Sequence, residues 1–341
     1  MKILIIGGTR FIGRAVALRL IQEGHKVAVL NRGKTEIDFP PEVQRIRGNR
    51  DDLRASKADI VDFAPETVLH NIVIHDGHIV DLQELVQGIA KRIVLTSSMD
   101  VYKSYGILTG IESGPLITDV EGEEAFLRTE LYPYRKGLSE DHPLYLYDKI
   151  PAEIATLGHK ELEGTILRLP MVFGPRDWQY RFFDWVKPMG DARPAIVESD
   201  KVAAWRTSYA YVDNAAGALA LACTKAEAAG QTYNVSDGIY SNRELVEKIG
   251  LELNWKGEYI TRPLEELPDS FKPDFNAAQN LLFKDSKIRS ELGHNPEIDF
   301  DEAVRRTVAW LREHPPEPIE EELVTYKQQD AALDRIRGER S

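Results

Sequence analysis

Two side chains near the middle of the chain have the types and spacing to move a proton. Tyr145 and Lys149 stand four residues apart in Tyr145-Leu146-Tyr147-Asp148-Lys149, where residues 147–158 carry a helical pattern. Residues four apart share one helix face, so the ammonium is placed beside the phenol. A neighbouring positive charge favours the tyrosinate and lowers a pKa that is ordinarily ~10. That makes the phenol a general base near neutrality. Tyr147, only two residues from Lys149, faces elsewhere on such a helix.

A second constellation opens the chain. Gly7-Gly8-Thr9-Arg10-Phe11-Ile12-Gly13 follows an apolar run and precedes a helical pattern. Glycines there let the backbone approach a pyrophosphate, and the helix N-terminus supplies N–H donors and a positive dipole end. The placement predicts dinucleotide binding by Gly7, Thr9, Arg10, Phe11, Ile12 and Gly13. Arg10 stands where the usual spacing has its middle glycine, and a guanidinium can contact a phosphate. The second strand runs into Asn31-Arg32-Gly33-Lys34 with no acid before Glu36. An acid would hold a ribose 2′-hydroxyl, whereas an arginine accommodates a 2′-phosphate. Asn31, Arg32 and Lys34 therefore favour NADP(H), with NAD(H) possible.

Strand patterns at 2–6, 26–30, 43–47, 67–74, 92–96 and 164–169 must position these groups, separated by helical patterns at 11–23, 81–90 and 147–158. The alternation predicts an α/β fold, a Rossmann-type doubly wound parallel sheet with a smaller C-terminal substrate domain. The expected division is 1–172 for dinucleotide binding, 173–314 mainly for substrate and interleaved with the sheet by chain crossing, and 315–341 as a charged tail with no assigned role. Residues 102–143 break the rhythm as an insertion that is either a pocket cover or a solvated loop. A short strand at 231–235 and an amphipathic helix at 301–314 complete the reading.

The chain has 341 residues and a net charge of −12. That length exceeds the ~250–300 at which single cores divide, and the acidity disfavours general nucleic-acid binding. A single cysteine, Cys223, cannot form an internal disulfide. No apolar run approaches the ~20 residues of a membrane span. A cytoplasmic protein is the expectation, with no metal site.

With these residues in place, the chain resembles the extended short-chain dehydrogenase/reductases of the NAD-dependent epimerase/dehydratase type over residues 1 to about 312. The resemblance rests on the glycine turn, Gly48-Asn49-Arg50-Asp51-Asp52, Thr96-Ser97-Ser98-Met99-Asp100-Val101-Tyr102 and the Tyr145/Lys149 spacing. Later segments add to it: 167–175, 211–216, Tyr233-Asn234-Val235 and Asp285-Ser286-Lys287. It implies that Asn49 and Arg50 lie in the adenine-contacting segment after strand 3. Ser98 matches the catalytic hydroxyl that stabilises a keto oxygen, and Lys149 also holds the nicotinamide ribose. Asp100, Met171 and Arg206 fall at or near substrate-contacting positions. Met171 stands where many nucleotide-sugar epimerases have asparagine and cannot make that hydrogen bond. Arg206 is about one residue out of register with a diphosphate-binding arginine. Of the two acids that follow the hydroxyl residue in dehydratases, only the second, Asp100, is present.

The implied function is hydride transfer to or from a sugar-like, possibly nucleotide-sugar, hydroxyl or carbonyl by an epimerase, dehydratase or reductase. The turn and the Asn31–Lys34 stretch also resemble the atypical branch that includes the chloroplast stem-loop-binding proteins. This leaves open a non-catalytic RNA-binding or dinucleotide-sensing protein. By family analogy, a homodimer would form through the helix carrying Ile150, Ile154, Ala155 and Leu157.

Overall fold

The computed structural model describes residues 1–34, 39–317 and 326–338. Its twelve strands are β1 (Lys2–Ile6), β2 (Lys26–Asn31), β3 (Gln44–Arg47), β4 (Thr67–His70), β5 (Arg92–Ser98), β6 (Glu163–Leu169), β7 (Met171–Phe173), β8 (Ala195–Ser199), β9 (Arg206–Tyr211), β10 (Thr232–Asn234), β11 (Gly238–Ser241) and β12 (Glu258–Arg262). Seven form one parallel sheet in the order β10-β6-β5-β4-β1-β2-β3. The order reverses beside β1, which opens a crevice at the strands' carboxyl ends where such sheets bind ligands.

β1 shows why these runs become central strands. Ile3 and Ile5 enter the core on one face of the sheet, while Leu4 and Ile6 enter the core on the other. Both faces are covered, so the run is apolar throughout rather than alternating. β4 is shorter than the 67–74 pattern suggested. Its pairing ends at His70, after which Asn71 N–H still reaches Ile6 carbonyl at 3.0 Å and the chain turns away along the crevice. Apolar residues 72–74 mimic strand continuation there while lining loop structure.

The second half is threaded into the first. β10 pairs with β6, and the helix Val212–Thr224 packs on the helix Phe11–Gln22. β7, β9 and β11 form a small mixed sheet, and β8 and β12 a parallel pair. The insertion is an ordered part of the fold. Tyr102, Glu121 and Arg128 are buried. The Glu121 amide donates to Leu282 carbonyl at 2.7 Å, and the Asn276 amide to Leu108 carbonyl at 2.7 Å.

The C-terminal tail requires a correction. Tyr326–Gly338 is a helix that buries Ala332, Leu333 and Ile336 against Ala195, Val197 and Leu267. Their spacing makes one apolar stripe that the charged composition masked. Residues 318–325 and 339–341 of that tail, and Glu36 in the 35–38 stretch, lie outside the described residues.

Candidate active site

The glycine turn leaves β1 and enters the helix Phe11–Gln22 through a tightly packed backbone. A Cβ on Gly13 would stand 2.2 Å from Gly7 carbonyl oxygen, and Gly7 itself has φ +86°. Phe11 also occupies the left-handed region, at φ 41°, a conformation that aromatic residues rarely adopt. The helix start carries no side-chain cap, which leaves its first amides without a side-chain acceptor at that end. Gly7, Thr9, Arg10, Phe11 and Ile12 line a cavity of about 520 Å³, and Asn31, Arg32, Lys34, Asn49 and Arg50 line the same cavity from β2 and β3. Gly13 lies behind the turn and sets its tightness rather than lining the space. Arg10, Arg32 and Lys34 are exposed at the rim. Arg50 is tied inward, donating to Ile72 carbonyl at 2.9 Å. A close-packed glycine cradle with cations at the β2 end fits a pyrophosphate-bearing dinucleotide.

Asp51 also lines this cavity and is held from behind. His78 Nε2 lies 2.9 Å from Asp51 Oδ1, and His78 Nδ1 accepts from the Ile74 amide at 3.2 Å. Burial, then His75, pull the His78 pKa down to about 4. The neutral ring therefore donates to Asp51; burial pushes the Asp51 pKa up, but the hydrogen bond from His78, the Arg50 charge and Asn49 together hold it below its usual range.

The next corner is built at the end of β5. Ser98 Oγ accepts from the Asp100 amide at 3.2 Å, which fixes the hydroxyl at the strand's carboxyl end. Asp100 is buried, and its Oδ2 accepts from Tyr147 hydroxyl at 2.8 Å. Its Oδ1 has no partner. Burial raises the Asp100 pKa and, with Asp100 adding to it, the Tyr147 pKa goes well above its ordinary value. Lys149 Nζ lies 5.5 Å from the Tyr147 ring centroid and donates to Val73 carbonyl at 2.6 Å and Thr96 carbonyl at 3.3 Å. Burial lowers its pKa to about 8, with Asp100 opposing.

Here the structure corrects the helix-face argument for Tyr145. The helix is Lys149–Leu157, with Asp148 as its N-cap accepting from the Ile150 amide. Pro151 explains the late start, because in a longer helix its ring would clash with Tyr147 carbonyl and it has no N–H to donate. Tyr145 lies in the preceding turn, its ring 4.8 Å from the Arg135 guanidinium. Tyr147, expected to face elsewhere, is the tyrosine brought to Asp100 and Lys149. An Asp followed three residues later by Pro is the signal that would have placed the boundary.

The insertion closes this corner. Arg128, fully buried, donates to Asp100 carbonyl and pairs with Asp148 at 3.1 Å. The Tyr134 ring lies 5.2 Å from Tyr147, and its hydroxyl is 2.7 Å from Tyr105 hydroxyl. Met171 begins β7 half-buried and packs on both Met99 and Val172 neighbourhoods of the core. Arg206 begins β9 exposed, its amide bound to Asn280 Oδ1 at 2.9 Å. Trp178, which sequence reasoning did not select, lines the dinucleotide cavity from the second half.

The NAD dependent epimerase/dehydratase family matches residues 3–105. The match covers the first third of the chain. It contains the glycine turn, the rim cations and Ser98, the residues that build the cleft. The chain is 25% identical over 354 residues to a dTDP-glucose 4,6-dehydratase of Actinoplanes sp., covering 92% of this chain and 98% of that one. It is 27% identical over 163 residues to the chloroplast stem-loop binding protein of 41 kDa b of Arabidopsis thaliana, covering 43% of this chain and 42% of that protein. Among solved structures, an epimerase from Methanothermobacter thermautotrophicus superposes with TM-score 0.68 at 19% identity, covering 92% of each chain. The dTDP-glucose 4,6-dehydratase of Bacillus anthracis in complex with NAD gives 0.67 at 17%, covering 96% and 99%. These structures share the Rossmann-like fold. No helix among the described residues is long and apolar enough to cross a membrane.

Proposed function

We propose that this chain is an NAD(P)-dependent enzyme that shuttles a hydride at a hydroxyl-bearing or keto carbon of a sugar-like or nucleotide-sugar substrate, with NADP(H) favoured. The observation that carries the reading is a glycine cradle with rim cations after β1 and, two strands away at the end of β5 in the same parallel sheet, the corner of Ser98, Asp100, Tyr147 and Lys149. A bound nicotinamide would supply the hydride acceptor. Thr9, Arg10, Phe11 and Ile12 hold the pyrophosphate, while Asn31, Arg32 and Lys34 take the adenosine end with its 2′-phosphate. Ser98 donates to the reacting oxygen and orients it. Tyr147 takes the hydroxyl proton in preference to Tyr145, and Asp100 Oδ2, 2.8 Å away, receives the phenol's own proton. Lys149 sets its positive charge against the burial and the Asp100 carboxylate that raise the Tyr147 pKa, and holds the nicotinamide ribose. Met171 and Arg206 border the substrate side. The protein works in the cytoplasm on a small molecule, as a homodimer through the helix Lys149–Leu157.

The likeness to a stem-loop binding protein favours one other reading, a non-catalytic RNA-binding or dinucleotide-sensing protein. A net charge of −12 weighs against it. Titration calorimetry with NADPH and NADH, followed by nicotinamide absorbance against a panel of nucleotide sugars, tests the proposal. Tyr147→Phe should abolish turnover with dinucleotide binding intact, and Tyr145→Phe should retain it. Binding of neither dinucleotide, with salt-sensitive RNA retention on a filter, would sink the reading in favour of the other.

A further inference from the structure

Trp178 is placed oddly for so large an apolar ring. It is 66% exposed, yet it borders the dinucleotide cavity together with Arg10 and Phe11. An indole left in water forgoes the burial that usually accompanies it.

Its position is imposed by the backbone around it. Between β7 and the helix Phe183–Gly190, Gly174 has φ 143°, and three other residues lie in the left-handed region: Arg176 at 69°, Tyr180 at 50° and Phe182 at 76°. Non-glycine residues adopt this region at a cost, and such strain persists only where surroundings over-determine it. Here they do. Asp177 is buried, accepting from the Gln179 amide at 3.0 Å and from Arg181 at 2.8 Å. Tyr180 stacks on Trp310 with centroids 5.9 Å apart, and Phe182 meets Phe173 at 4.9 Å. Both flanks of Trp178 are anchored in the second half of the chain, while the indole is carried to the cleft of the first.

We propose that Trp178 is a cofactor-positioning residue, a roof that covers the dinucleotide held by the glycine turn and excludes water from that side of it. An apolar cover strengthens the charge contacts beneath it by lowering the local dielectric. The anchored loop means that the backbone carrying the indole loses little freedom when the ligand arrives, so more of its contact is realised as affinity. This rests on the dinucleotide reading of the cleft and adds a residue from the opposite half of the chain to it.

The test uses the full chain in titration calorimetry with NADPH and with NADH, for wild type, Trp178→Ala and Trp178→Phe. Trp178→Ala should weaken both dinucleotides about tenfold, the order of one lost ring contact, while Trp178→Phe keeps most of the affinity. Trp178→Ala should also show a steeper loss of affinity with salt, which a merely structural residue would not produce. Dinucleotide should quench tryptophan emission in wild type and quench it far less in Trp178→Phe. Melting temperatures without ligand should coincide. Equal affinity and equal salt dependence in Trp178→Ala, with wild type binding normally, overturn the proposal. A wild type that binds neither dinucleotide overturns the cofactor reading itself, and the roof with it.

Discussion

Arg128 and Asp148 form an ion pair at 3.1 Å from which solvent is excluded on both sides. One partner comes from the insertion and the other caps the helix that begins with Lys149. Asp148 Oδ2 also accepts from the Tyr132 amide at 2.6 Å, so a single carboxylate ties the insertion to the helix start that carries Lys149. Removing one member of a buried pair leaves the other charged and unpaired, at a cost of roughly 3–5 kcal/mol. Arg128→Met should lower the denaturation midpoint accordingly. A loss under ~1 kcal/mol in urea unfolding would mean that the insertion is held by other contacts.

Lys149 gives a pH signature. Its pKa falls from 10.5 unfolded to about 8 folded. Between those values the unfolded chain binds more protons, so this group's contribution to stability rises with pH across that window. At ~1.36 kcal/mol per pKa unit, the swing is on the order of 3 kcal/mol. Compared with Lys149→Met, wild type should gain stability from pH 8 to 10.5, read as the difference between their melting temperatures. A difference that stays flat across this range would contradict the burial of a titrating amine.

The proposed preference for NADP(H) rests on the rim cations. Hydrogen bonds to charged groups contribute about 1.5–3 kcal/mol each, or roughly ten- to a hundredfold in affinity. Arg32→Ala should weaken NADPH by about that factor and leave NADH nearly unchanged, because only the former carries a 2′-phosphate. Equal losses in calorimetry would assign Arg32 to a contact common to both.

Ile154 is 68% exposed and Leu157 is 43% exposed on the helix Lys149–Leu157, whereas Ile150 faces the core. If that outer face joins two copies, Ile154→Glu should convert a dimer to a monomer in light scattering without altering the far-ultraviolet circular dichroism. An unchanged mass would move the interface elsewhere.

The parallel sheet was readable because β1, β2, β5 and β6 are apolar runs bounded by polar or glycine residues, a pattern that two-sided burial demands. The cleft was readable because a phosphate-binding turn needs glycine at fixed offsets, as Gly13 against Gly7 carbonyl illustrates. The four-residue spacing of Tyr145 and Lys149 does not put them on one helix face, because the helix begins only at Lys149, where Pro151 limits its extension. Trp178 and Arg128 gave no local sign. Each reaches the site from a segment whose path depends on tertiary packing, through Asp177 in one case and Asp148 in the other.

The pairing of β10 with β6 has a consequence for how the chain acquires its shape during synthesis. Thr232, Tyr233 and Asn234 align with Ile166, Leu167 and Arg168, so the strand that completes the large sheet emerges from the ribosome some sixty residues after its neighbour. Until then β6 presents an open edge, the kind of surface that recruits another nascent chain. The first half cannot complete its sheet and wait: its closing strand is translated only after residues 170–231, and a ribosome stalled between the two strands would leave the edge exposed for as long as it paused.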